Sequence, residues 1–148
     1  MKVTFLLADA AAAAEGKLYV LGGGWSFIGP QVGPMALAIL VEVPWHEANQ
    51  EHQIVIELQD SDGNAALIGP EAQPMRIEAK LEVGRPPGHP AGSPFNVPMA
   101  FNIGPMPLQP GMRYVWVVSI DGATDPNWQV GFHVRSQLGH PGAPAAPR

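Results

Sequence analysis

The clearest period along the chain is two. Across 75–83 the residues Met75, Ile77, Ala79, Leu81 and Val83 alternate with Arg76, Glu78, Lys80 and Glu82, as in a strand with one buried and one solvated face. The same alternation sets Ile54, Ile56 and Leu58 against Glu57 and Gln59, and Trp128, Val130, Phe132 and Val134 against Gln129, His133 and Arg135. Phe95, Val97, Met99, Phe101 and Ile103 form a further face of this kind. Pro98 lies within it and has no N–H for a ladder, which predicts a sheet edge or a bulge.

Four other runs, at 2–8, 17–21, 35–43 and 113–121, are more continuously apolar. They are expected to be covered on both faces, at the centre of a sheet or at a subunit interface. Turn residues fall between the runs. Asp62-Gly63-Asn64 follows one strand and Asp121-Gly122 precedes the last, so the final two strands are expected to form a hairpin. The stretch WHEANQEH at 45–52 follows a proline and lacks Gly, Pro and β-branched residues, which predicts one or two helical turns, and 10–15 is read the same way. About eight short strands with little helix predict an all-β fold, an antiparallel β-sandwich over 1–135. Beyond Arg135 the sequence SQLGHPGAPAAPR loses apolar patterning, and 136–148 is expected to be a flexible tail.

Composition narrows the function classes. The chain of 148 residues has room for one core. Charged residues are 14% against 46% hydrophobic, which points to apolar surface and to self-association or a protein partner, with a homodimer the simplest case. Eight Lys plus Arg and a formal net charge of -5 supply no basic patch for nucleic acid. With no cysteine, thiolate chemistry, disulfides and Cys-ligated zinc are excluded. The N-terminal MKVTFLLADAAAAAEG imitates a secretion signal, but its apolar run is short and Asp9 interrupts it, so a strand in a cytoplasmic protein is expected, and no run is long enough to span a membrane.

Several stretches imitate chemical motifs without completing them. Gly22-Gly23-Gly24 is followed by Trp25-Ser26, not by the Lys-Ser/Thr and helix of a phosphate loop, and reads as a strand end or bulge. Gly24-Trp25-Ser26-Phe27-Ile28-Gly29 is one residue too long for a serine nucleophile elbow. His46-Glu47 lacks the second histidine four residues on, because Gln50 stands there, and a zinc site is not expected. Asp60-Ser61-Asp62-Gly63-Asn64 opens like a calcium loop but reads as a turn, since no glutamate closes it. His46, His52, His89, His133 and His140 are all read as solvated. No catalytic residue, metal ligand or cofactor is nominated.

Two sets of residues are candidates for binding. Trp25 and Trp45 each follow a strand and are candidates for a small-ligand or carbohydrate site. Val115 and Val117, with the apolar run MALAILVEV at 35–43, are candidates for an interface. The combination of Leu7-Ala8-Asp9-Ala10, the stretch GKLYVLGGGW at 16–25, Val43-Pro44-Trp45 and VGRPPG at 83–88 resembles an uncharacterised family of small bacterial proteins, common in actinobacteria. That resemblance implies a β-sandwich and a cytoplasmic setting, and it brings no activity. The leading expectation is a non-enzymatic sandwich that acts by association.

Overall fold

Each alternating or apolar run becomes a strand. In the computed structural model, which describes residues 1–136, these are β1 (Lys2–Ala14), β2 (Lys17–Gly23), β4 (Met35–Val43), β5 (Glu51–Asp60), β8 (Arg76–Glu82), β9 (Phe95–Ile103), β10 (Arg113–Ile120) and β11 (Gln129–Val134). Three two-residue strands complete the set: β3 (Phe27–Ile28), β6 (Leu67–Ile68) and β7 (Gln73–Pro74). One sheet runs β2-β1-β4-β9 and the other β3-β11-β10-β5-β8, with β6 and β7 a separate pair. Pairing is antiparallel throughout, apart from the short parallel contact of β3 with β11.

The inward residues of the two sheets meet in one core. Val3, Leu7, Leu37, Ile39 and Val41 of the first sheet pack in one cluster with Ile54, Ile56, Leu58, Trp116, Val118 and Phe132 of the second. The fold is therefore all-β and sandwich-like, held by the apolar face that each strand presents every second residue. The first apolar run is a strand and part of this core through Val3 and Leu7. Pro98 sits on β9 at the sheet edge, opposite Leu40, as its missing N–H requires. Among the described residues no helix is long and apolar enough to cross a membrane.

Two local expectations are corrected. The alanines at 10–14 extend β1 and are not helical. They pair with β2 around Glu15 and Gly16, which both take positive φ (53 and 73°) and form the two-residue hairpin turn, so pairing overrides alanine's helix propensity. The run at 45–52 yields one helical turn, as expected, a 3₁₀ turn at Trp45–Glu47, before Asn49 takes a φ of 57° and β5 begins. The run at 17–21 is not central. It forms edge strand β2, with Leu18 alone half-buried. Apart from Ser136, the tail expected at 136–148 lies outside the described residues.

Candidate functional site

The outer face of the first sheet is built from small residues. Ala8, Ala36 and Ala38 are buried there, and Ala11 and Leu18 of the β1–β2 hairpin pack against them beside Ala100. Alanine side chains let the hairpin backbone come close to the sheet, and the hairpin lies as an arm beyond Ala8, the last residue of β1 paired with β4. Asn102 of β9 fastens it: the Ala11 N–H donates to Asn102 Oδ1 (3.2 Å) and Asn102 Nδ2 donates to the Ala11 carbonyl (2.7 Å). A single side-chain amide thus supplies both hydrogen bonds that a neighbouring strand would have made.

The Ala11 bonds fix which way the β2 backbone points. In an antiparallel ladder one residue's N–H and C=O leave on the same side and alternate residue by residue. Ala11 turns both groups away from β2, so its partner Val20 turns both away from β1. By the same alternation the free side of β2 presents the N–H and C=O of Leu18 and Val20, and the left-handed backbone of Gly22 (φ 59°) interrupts the pattern beyond them. The side chains around them are apolar and open: Tyr19 is 52% exposed, Val20 38% and Leu21 71%. Together with Ala10, Ala11, Ala12 and Leu18 they line a shallow depression of about 540 Å³.

The glycines after this strand end it. Gly22 has a φ of 59°, and a Cβ there would overlap the Asp9 carboxylate of β1. Gly24, at φ 90°, donates its N–H to the Leu7 carbonyl at 2.7 Å. The triplet therefore closes the hairpin as a strand end, where only a residue without Cβ fits easily.

The tryptophan candidates lie apart from the arm's open edge and pack on the protein's own side chains. Trp45 closes one end of the sandwich: Phe95 and His89 lie in near-parallel planes 5.8 and 6.0 Å away, and the Arg85 guanidinium sits 4.3 Å from the ring centroid. Arg85 also donates to the Trp45 carbonyl at 2.6 Å. A cleft of about 520 Å³ beside it is lined by Met1, Lys2, Glu42, Trp45 and His46 among others. Trp25 meets Phe132 edge to face at 6.0 Å, and its indole N–H is buried without a partner. Val115 and Val117 point away from the core on the second sheet, but Val115 is only 9% exposed and offers almost no contact surface. The run at 35–43 is likewise covered, by the core on one face and, at Ala36 and Ala38, by the arm on the other.

One histidine is not solvated. His52 is 4% exposed, in phase with inward Ile54, Ile56 and Leu58. Its Nδ1 lies 2.7 Å from Asp121 Oδ2 and its Nε2 lies 2.8 Å from the Glu47 carbonyl. Both ring nitrogens are thus engaged by the protein's own oxygens. The periodicity carried the signal for His52, whereas Asp121, 69 residues away, is joined to it only by the fold. His89 is partly buried as well, stacked 4.0 Å from Phe95. His140 lies outside the described residues. Among the described residues no three His, Asp or Glu side chains converge on a common point.

No curated protein and no solved structure matches the chain. A family defined from sequence does match, over residues 3–135, and the chain accordingly belongs to the family of unknown function DUF6941.

Proposed function

We propose that this protein is a non-enzymatic association module that pairs with a second copy of itself through the free edge of β2. The observation that supports this is an imbalance among the four edges of the two main sheets of the described residues. Edge strands normally carry devices against pairing: charge, proline or shortness. β8 alternates Arg76, Glu78, Lys80 and Glu82; β9 carries Pro98; β3 has two residues. β2 has no proline and a single charge, Lys17 at its start, and it is seven residues long with Tyr19, Val20 and Leu21 exposed.

The edge is also compatible with itself. About a two-fold axis at Val20, an antiparallel copy sets Val20 opposite Val20, so that the two outward-facing N–H and C=O pairs at the axis bond each other, and brings Leu18 opposite Gly22. Tyr19 then meets Leu21 of the second copy in the closer, non-hydrogen-bonded pairs, where side chains touch most. Lys17, the one charged residue of β2, falls opposite Gly23 and meets no like charge. Such a contact is isologous and closes on itself.

Sedimentation velocity over a broad concentration range tests the reading. Val20→Pro removes a donor that the β1–β2 ladder does not use, and Leu21→Lys places a charge on the edge. Val20→Pro eliminates two intermolecular hydrogen bonds about the axis, at about 1 kcal/mol each, which weakens dimerisation about thirtyfold with little change in thermal stability. A wild-type chain that stays monomeric refutes the proposal. A dimer unaffected by both substitutions moves the interface elsewhere.

A further inference from the structure

We infer that His52 is a buried imidazolium clamping the 3₁₀ turn at Trp45–Glu47 to the β10–β11 turn, and that loss of its proton releases the clamp. The argument rests on what each neighbour can do. The Glu47 carbonyl only accepts, so Nε2, 2.8 Å away, carries hydrogen. The Asp121 carboxylate, when ionised, also only accepts, so Nδ1 at 2.7 Å carries hydrogen as well. A neutral ring has one N–H and serves one of these partners. It leaves the other facing a lone pair at hydrogen-bonding distance.

Asp121 is held in place to receive this bond. Its Oδ1 accepts the Gln53 N–H at 2.9 Å, and its own N–H donates to the Gln53 carbonyl at 2.8 Å. At a φ of 52° it begins the turn that continues through Gly122 at 80°. The bond from His52 therefore ties three segments: the end of the 3₁₀ turn, the start of β5 and the turn after β10.

The charges around the ring agree with a cation. Asp121 and Glu47 are the carboxylates that act on it, and His46 lies 3.9 Å from the Glu47 carboxylate. Across the sheet, β8 sends buried Leu81 opposite His52; its neighbours Lys80 and Glu82 alternate to the other face, where Lys80 pairs with Glu51 at 3.4 Å. Among the described residues, His52 is the one ion-pair partner of Asp121. Burial pulls the ring's pKa down, but the hydrogen bond to Asp121, the bond to the Glu47 carbonyl and the two carboxylate charges outweigh it, and the net shift is upward.

Long-range ¹H–¹⁵N correlation spectra of the full chain against pH read both ring nitrogens directly, and amide exchange, corrected for its intrinsic pH dependence, reads the clamp. The expected result is a doubly protonated ring at pH 6, a midpoint above 6.5, and about a tenfold loss of protection at Gln53 and Asp121 through the same step. Asp121→Asn, which keeps a residue tolerant of positive φ, moves the midpoint below the wild-type value. His52→Gln, which retains a donor toward Glu47, abolishes the step. A ring that is neutral at pH 6, a midpoint unmoved by Asp121→Asn, or protection that is constant through the titration overturns the inference.

Discussion

Because the fold favours the His52 cation, the stability that cation contributes is present in full below the ring's unfolded pKa of about 6.5 and is lost as pH rises through the higher folded value. Asp121 has the opposite sense. The His52 hydrogen bond and then the Gln53 N–H hold its pKa below 3.8, so its contribution is present above that value and disappears as pH falls through the folded one. Thermal unfolding followed at stepped pH is thus expected to show a maximum between these limits and a decline of a few degrees on the alkaline side. Asp121→Asn removes that alkaline decline, and a wild-type melting temperature flat from mildly acidic to alkaline pH contradicts the assignment. At Gly22 the expected effect is steric: Gly22→Ala introduces strain at φ 59° and overlap with Asp9, costing about 1–3 kcal/mol. Adding Asp9→Ala restores the overlap part and leaves the backbone part, a non-additivity that a double-mutant cycle by denaturant unfolding measures.

The β1–β2 arm depends on few contacts for its position. Asn102→Ala leaves the partly buried N–H and C=O of Ala11 without a partner, at about 1–3 kcal/mol. That loss is expected to appear as faster amide exchange through the arm while protection at Trp116 and Ile56 stays unchanged. Equal acceleration in arm and core contradicts a locally held arm. The arm is also where the sequence was hardest to read. Strands such as β5 and β8 declare themselves through alternation, because one face is dry and the other wet. The alanines at 10–14 alternate with nothing, since alanine suits either face, and only the Glu15-Gly16 turn fixes them as strand. Leu18 to Leu21 are apolar in a row, a pattern shared by a covered central strand and an open edge. What decides between them is whether another strand lies alongside, and that is a property of the assembled sheet. His52 was legible through its phase with Ile54, but its partner was not, because no local spacing connects residues brought together across the fold.

At the scale of the molecule, low surface charge has been distributed unevenly. Charges alternate along β8, while the first sheet buries alanines under its own arm and leaves one apolar margin uncovered. The apolar runs do not separate covered residues from open ones: Ala36, Ala38 and Val115 lie on outer faces yet are covered, whereas Tyr19 and Leu21 are open. Pro98 has a bearing on this margin from the far side of the sheet. Two chains joined at β2 would make a continuous ribbon whose outermost strands are both β9, and each would present a proline to any newcomer. Growth in that direction would end after a single junction, so in the proposed dimer the same residue that marks the rim of one sandwich would keep an open margin from seeding a fibre.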